Sequence, residues 1–370
     1  MTTDTVMLAA GGTGGHLFPA YALAEELRRR GRMVDLVTDM RGDRYGTGFP
    51  ARQIYQVPSA TLAGKSPLAM ARTGLALSRG IAAAWRLLGR VRPAVVVGFG
   101  GYPTYPPLLA ANMRGIPTAL HEQNAVLGRA NRMLAKRVTA IATSFERTKL
   151  LDGDLAAKAR FTGNPVRDVV IAAAARSYDP PVPNGPLKLV VFGGSQGARY
   201  FSDAVPPAMA MLPESLRRRL EIVQQCREED LPRVRDAYAA AGIRAELATF
   251  FKALPEMLAA AHLVIARAGA STVAELTVIG RPSILVPLPH ALDNDQLQNA
   301  TRLAESGGGW CIEQKDLDPA RLASEIARLA RAPGELARAA AAAKGQGRPD
   351  AVQRLADLVD GLAAKSGHKA

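Results

Sequence analysis

The chain has 370 residues, 48% hydrophobic and 22% charged, which excludes long disorder and, at roughly 150 residues per domain, predicts two domains. Its two cysteines, Cys226 and Cys311, exclude a disulfide framework and a zinc ribbon and fit a reducing compartment. The net charge of +14 points first to nucleic acid, but 5% aromatics leave few stacking platforms, and no zinc-finger or basic-zipper spacing occurs.

In chain order, no basic stretch leads into an apolar one at the start, so no signal peptide is expected. Residues 5–10 read as a strand, followed by the glycine turn Gly11-Gly12-Thr13-Gly14-Gly15-His16 and a helix over 19–30 that Pro19, with its fixed φ, would open. Strands follow at 33–38, 94–97, 118–120 and 139–142. The longest uncharged run, 93–113, carries four prolines and three glycines, which a membrane-spanning helix would not tolerate in that number. At 187–192 the pattern restarts: a hydrophobic strand, the turn Gly193-Gly194-Ser195-Gln196-Gly197, a helix, then strands at 221–223, 263–266 and 283–287. Residues 177–186, rich in proline, read as a linker or long loop, and residues 351–364 as a final helix. Strand–helix alternation in two halves predicts an α/β fold of two doubly wound, Rossmann-like domains, with ligands at the carboxyl ends of the strands and a cleft between the halves.

The charge is concentrated. Residues 44–145 hold 13 basic side chains against one acid, Glu122, a net +12 that leaves +2 for the other 268 residues. Lys65, Arg72, Arg79 and Arg86 recur every seven residues, a slowly drifting stripe on a helix, with Leu75, Ile81 and Trp85 among them. Basic stems beside Leu and Trp suit an anionic lipid surface; the same pattern also describes an amphipathic helix with a solvated basic face. Gly74 and Gly80 argue against one unbroken helix.

The glycine turns sit where backbone amides and a helix N-terminus can meet an anion. A dinucleotide fingerprint beginning at Gly12 would need glycine at 17, where Leu17 stands. His16, where the turn becomes the helix, can take a proton from a bound hydroxyl in its neutral form. Gly100, Gly101 and Tyr102, inside the basic segment, form a second turn able to accept a phosphate. His121-Glu122-Gln123-Asn124 follows a strand and predicts a sugar or hydroxyl site, with Glu122 paired to one of its many basic neighbours. Arg167 can clamp a diphosphate. In the second half Ser195 can donate to a phosphate, the amides of Ala270, Ser271, Thr272 and Val273 can meet a diphosphate, and Glu275 can hold two vicinal ribose hydroxyls. Asp293-Asn294-Asp295 looks like a short metal motif, weak by itself.

Taken in order, Gly-Gly-Thr-Gly-Gly-His, Gly-Phe-Gly-Gly-Tyr, His-Glu-Gln-Asn, Gly-Asn-Pro-Val-Arg, Gly-Gly-Ser-Gln-Gly, Arg-Ala-Gly-Ala-Ser-Thr and Asp295-Gln296 with Asn299-Ala300 resemble the MurG family of bacterial glycosyltransferases over residues 6–345. The resemblance implies a GT-B fold, with an acceptor domain at 1–166 rejoined by a C-terminal helix near 350–370, and a donor domain at 167–349. It implies inverting transfer of GlcNAc from UDP-GlcNAc to undecaprenyl-diphospho-MurNAc-pentapeptide in peptidoglycan synthesis, hence in cell-wall biogenesis, cell shape and division. No metal cofactor is expected. The enzyme would sit peripherally on the cytoplasmic face of the inner membrane, with cell-wall synthesis proteins as possible partners and no nucleic acid. By motif, Thr13, Gly14 and Gly15 would face the donor, Asn124 the sugar, Arg167 and Ser195 the diphosphate, Ala270 to Val273 the phosphates through amides, Glu275 the ribose and Gln296 the GlcNAc hydroxyls; the backbone of Phe251 would read uracil. His16 is the expected base and Glu122 the alternative. Gly100, Gly101 and Tyr102 would meet the acceptor diphosphate, and Arg72, Leu75, Arg79, Ile81, Trp85 and Arg86 the membrane. Two departures stand out: Gln224-Gln225-Cys226-Arg227 replaces the frequent His-Gln-Thr-Gly, and Asp295 replaces an amide or histidine. Rival readings are a related transferase with another lipid acceptor, a UDP-GlcNAc 2-epimerase, and a basic binding module with no enzymatic role.

Overall fold

The computed structural model describes residues 5–11, 14–39, 48–59, 66–289 and 291–367. The chain divides into two compact units, Met1–Arg167 with Pro349–Ala370, and Asp168–Arg348.

The first unit is built on a seven-stranded sheet ordered β3-β2-β1-β4-β5-β6-β7: β1 (Thr5–Ala9), β2 (Met33–Thr38), β3 (Gln53–Gln56), β4 (Val95–Gly98), β5 (Thr118–Glu122), β6 (Ala140–Thr143) and β7 (Ala159–Phe161). Every pairing is parallel. Its helices are α1 (Gly14–Arg29), α2 (Pro67–Val91), α3 (Tyr105–Met113), α4 (Arg129–Ala135) and α5 (Asp154–Ala157). The second unit opens with α6 (Asp168–Ala173) and carries a six-stranded parallel sheet ordered β10-β9-β8-β11-β12-β13: β8 (Leu187–Phe192), β9 (Leu220–Gln225), β10 (Arg244–Ala248), β11 (Leu263–Ala266), β12 (Ser283–Leu285) and β13 (Gly309–Cys311). Around it lie α7 (Gly194–Ala210), α8 (Glu214–Arg217), α9 (Leu231–Ala240), α10 (Leu254–Ala260), α11 (Ala270–Ile279), α12 (Asp295–Glu305), α13 (Pro319–Ala330) and α14 (Pro333–Gln346). The last helix, α15 (Ala351–Gly367), belongs to the first unit.

Strands such as β1 and β4 are buried on both faces, so they read as continuous apolar runs. Alternate residues feed opposite layers: Val6, Leu8, Val95 and Val97 join α1 and α15, while Met7, Ala9 and Val96 join the α2, α3 and α4 side. Leu355, Val359 and Leu362 of α15 enter the first layer, each stabilising it by about 1.5–3 kcal/mol. Arg30 reaches Asp357 at 2.7 Å and Asp360 at 3.0 Å, and Arg32 reaches Asp360 at 2.9 Å, along the edge of that contact.

In each sheet the strand order reverses once, between β1 and β4 and between β8 and β11. The loops leaving those strands flank the crevice where ligands bind in such sheets, and they carry the glycine turns.

Three expectations are corrected. The four strands absent from the sequence reading, β3, β7, β10 and β13, are the four sheet edges; edge strands are half-solvated, and β3 and β10 show no buried apolar run. Helix α1 begins at Gly14, so Pro19 lies inside it. The missing N–H forfeits one intrahelical bond, outweighed by burying Leu17, Ala20, Leu23, Ala24 and Leu27. Helix α2 is continuous through Gly74 and Gly80. Gly80 is a point of close approach, where a β-carbon would collide with the Pro58 carbonyl oxygen.

The proline-rich stretch at 177–186 is a loop docked on the second unit: Arg281, 1% exposed, donates to the carbonyls of Arg176 and Ser177, and the Tyr178 hydroxyl donates to His262 O at 2.9 Å.

Candidate active site

Gly12 and Thr13 lie outside the described residues, as does Lys65 of the basic stripe. Gly14 and Gly15 open α1, and His16 follows. Its imidazole lies against the turn after β4. A β-carbon on Gly100 would stand 3.3 Å from His16 Cε1, and one on Gly101 would stand 3.4 Å from Nε2. Both glycines have positive φ, +84° and +74°, so these positions exclude side chains on two grounds. Thr104 Oγ1 donates to Gly101 O at 2.8 Å and locks the turn. Nδ1 of His16 is buried and has no hydrogen-bond partner among the described residues. Burial lowers the pKa of His16 below its ordinary 6.5, against the opposing influence of Gln123 and Phe99. The ring is therefore neutral at pH 7, the form that accepts a proton.

The strand exit at β5 is a scaffold. His121, fully buried, donates from Nε2 to Gly163 O at 3.0 Å and accepts at Nδ1 from Gln123 Nε2 at 3.1 Å. Burial pushes its pKa down to about 4. Gln123 also donates to Phe99 O at 2.9 Å, tying the β5 exit to the β4 turn that walls His16. Glu122, 1% exposed, accepts from the Asn124 amide at 2.9 Å and Asn124 Nδ2 at 3.3 Å on Oε1, and from the Gly128 amide at 2.9 Å and Asn131 Nδ2 at 2.7 Å on Oε2. The expected basic partner is replaced by neutral amides. Burial raises its pKa, and these four donors oppose the shift. With both oxygens engaged, Glu122 anchors the loop 123–128 and is badly placed to act as a base. Of the four polar residues expected to face a sugar, only Asn124 is part-exposed.

Arg167 closes the first unit, its guanidinium 4.7 Å from the centre of the Phe18 ring on α1. Beside it in sequence, Asn164 is 6% exposed with both side-chain polar atoms unmet among the described residues. Gln123 Oε1 and Asn131 Oδ1 are likewise buried and unmet. Each is a buried polar group that a polar ligand or a water could satisfy.

In the second unit, Gly194 turns with φ +65° into α7; the side chain of Ser195 is outside the described set. At the β11 exit, Gln296 Oε1 accepts from the amides of Ala268 at 3.2 Å and Leu288 at 3.0 Å. Asn299, one turn further along α12 and fully buried, donates to Ala268 O at 3.1 Å. The pair clamps both polar groups of Ala268 and leaves the Gln296 NH₂ as the donor end. Ala270 to Val273 form the first turn of α11; the Val273 amide is taken by Gly269 O at 3.0 Å, so the amides at the helix start that can meet a ligand end at Thr272. Glu275 lies on the same helix, 8% exposed. Arg267 is 5% exposed, donates to Val286 O, Pro287 O and Gln314 Oε1, and has its pKa lowered by burial to about 10. Phe251 is half-buried in the loop after β10.

Sequence reasoning assigned no role to Asn131, Asn164, Arg267 or Asn299, and gave Gln123 a sugar-facing role where the fold makes it a link to the β4 turn. The spacing of Asn299 from Gln296 could have placed both on one helix face; the others needed the fold. On α2, Arg72, Arg79 and Arg86 are exposed with Leu75 at 54%, while Ile81 is half-buried. Trp85 packs against the core, with the Arg114 guanidinium 4.0 Å from its ring centre.

The N-terminal domain of glycosyltransferase family 28 matches residues 6–143 and its C-terminal domain residues 188–355. The UDP-N-acetylglucosamine–N-acetylmuramyl-(pentapeptide) pyrophosphoryl-undecaprenol N-acetylglucosamine transferase of Rhizobium etli is 53% identical over 98% of this chain and 97% of its own. The same-named protein of a Methylobacterium species is 56% identical over 96% and 95%. Among solved structures, MurG of Acinetobacter baumannii is 28% identical, with a TM-score of 0.78 over 96% of this chain and 99% of its own. The chain belongs to the MurG family. Its two parallel α/β sheets are those of the GT-B fold. A UDP-GlcNAc 2-epimerase from Neisseria meningitidis, 13% identical at a TM-score of 0.65, shares that fold alone. No helix among the described residues is long and apolar enough to cross a membrane.

Proposed function

We propose that this chain transfers GlcNAc from UDP-GlcNAc to the C4 hydroxyl of undecaprenyl-diphospho-MurNAc-pentapeptide, forming a β-1,4 link with inversion. The observation that carries the reading is identity of 53–56% to transferases of that name over nearly the whole chain. The first unit takes the lipid-linked acceptor and the second the UDP-GlcNAc donor. The acceptor oxygen attacks the anomeric carbon as the bond to the UDP phosphate breaks. His16, neutral and held by Gly100 and Gly101, takes the hydroxyl proton, a role worth about 10²–10⁴ in rate. Glu122 holds the loop that presents Asn124 to the sugar. The negative charge of departing UDP falls to Arg167, Ser195 and the amides of Ala270, Ser271 and Thr272 at the positive end of α11. Glu275 holds the ribose, Gln296 donates to the GlcNAc hydroxyls from the end its clamp leaves free, and the Phe251 backbone reads uracil. Thr13, Gly14 and Gly15 face the donor, and Gly100, Gly101 and Tyr102 the acceptor diphosphate.

The exposed basic face of α2, with Arg72, Arg79, Arg86 and Leu75, supports peripheral docking on the anionic cytoplasmic face of the bacterial inner membrane, with Ile81 and Trp85 at its rim. Incubating the protein with labelled UDP-GlcNAc and a short-chain lipid acceptor, with and without EDTA, tests the reading: transfer is expected in both, and none in either refutes it. Transfer lost only on chelation would instead assign Asp293 and Asp295 to a metal.

A further inference from the structure

The β9 exit carries the departure noted in sequence, Gln224-Gln225-Cys226-Arg227. Strands β9 and β10 run parallel, with Ala248 opposite Gln225. Beyond that pair, two successive carbonyls of the β10 exit are held from β9: the Cys226 amide donates to Ala248 O at 3.0 Å, and Gln225 Nε2 donates to Thr249 O at 3.1 Å. Strand β10 is an edge, paired to β9 alone. The other three side chains of the loop turn elsewhere. Gln224 is fully buried and accepts from the Tyr238 hydroxyl, Cys226 lies in the core, and Arg227 faces Glu229 at 3.8 Å. Gln225 is the one that reaches the neighbouring strand.

We infer that Gln225 is a positioning residue for nucleobase recognition, acting through Thr249 on the backbone of Phe251. The inference rests on the proposed reading of Phe251. Holding the Thr249 carbonyl fixes the peptide plane between residues 249 and 250, from which the chain runs through one residue to Phe251, and so narrows the directions open to the Phe251 amide and carbonyl. Recognition by backbone groups depends on that direction, because hydrogen bonds weaken steeply as they bend. The ligand class is a pyrimidine with an imide edge, a ring N–H donor flanked by two carbonyls. Cytosine, with an acceptor nitrogen and an amino group along that edge, is the near miss.

The test titrates the full-length protein by calorimetry with UDP and with CDP, which share ribose and diphosphate and differ at the base edge. The wild type is expected to prefer UDP. Gln225→Met, of similar shape but with no donor, is expected to lose about fivefold in UDP affinity, the equivalent of one ordinary hydrogen bond, with CDP affinity and melting temperature unchanged. Gln225→Lys, which keeps a donor, should keep the preference. In turnover, Gln225→Met should raise KM for UDP-GlcNAc and leave kcat. An unchanged UDP-to-CDP ratio in Gln225→Met overturns the role of Gln225 and leaves the reading of Phe251 standing. Equal affinity of the wild type for both nucleotides overturns that reading, and the role with it.

Discussion

His16 and Gly100 are in contact across two different strand exits: a β-carbon on Gly100 would lie 3.3 Å from Cε1 and 3.5 Å from Nδ1 of the imidazole. The glycine turn after β4 therefore shapes the site by walling the proposed base, in addition to any anion it receives. Gln123 holds the same turn at its start, donating to the Phe99 carbonyl at 2.9 Å.

Replacing Gly100 by alanine should then do two things. Its φ of +84° carries a strain of about 1–2 kcal/mol for an L side chain, and the new methyl presses on the imidazole. The expected result is a lower melting temperature and a clear fall in kcat with UDP affinity retained. Equal losses in kcat and UDP binding would contradict the placement.

His16→Ala should lower kcat by about 10²–10⁴ and leave UDP binding intact by calorimetry. Because burial holds the His16 pKa below 6.5, the acid limb of the wild-type kcat profile should fall below that of an ordinary imidazole. An unchanged turnover in the alanine variant would remove His16 from the chemistry.

Glu122→Gln keeps the shape of the side chain but sets an NH₂ against amide donors. With the carboxylate accepting four hydrogen bonds at a site 1% exposed, the cost should be about 2–3 kcal/mol in chemical denaturation. A variant as stable as wild type would show that the loop 123–128 is held some other way.

His121 gives the protein a pH-dependent stability. Its folded pKa of about 4 lies below the ordinary 6.5, so the unfolded chain binds the proton first as pH falls. The stability is complete above about pH 6.5 and is lost progressively toward pH 4, about 3 kcal/mol in all. Melting curves across that window should show the decline, and His121→Gln should flatten it while lowering stability at pH 7.5.

Exchanging Arg72, Arg79 and Arg86 for glutamine removes three charges from the exposed face of α2. At about 1 kcal/mol for each basic residue near an anionic surface, binding to phosphatidylglycerol vesicles should weaken about a hundredfold. UDP affinity should not change. Vesicle binding equal to wild type would place the membrane contact elsewhere.

The sequence alone determined the parallel α/β class, the inner strands, the glycine turns and the family, because doubly buried strands are apolar runs and phosphate-type turns need glycine at fixed offsets from them. It missed β3, β7, β10 and β13, whose half-solvated residues leave no such run. It placed His16 at the head of a helix, but only the tertiary structure sets that imidazole against Gly100 and Gly101, residues more than 80 positions away. It offered Glu122 as a base and His121 as a sugar contact; folding buries both among amide donors and carbonyls, since a polar group taken from water must find its partners inside. Local pattern sets which residues can form strands, turns and helix ends. Which polar atoms are left to meet a substrate depends on the neighbours that distant segments bring, and those arise only when the sheet assembles.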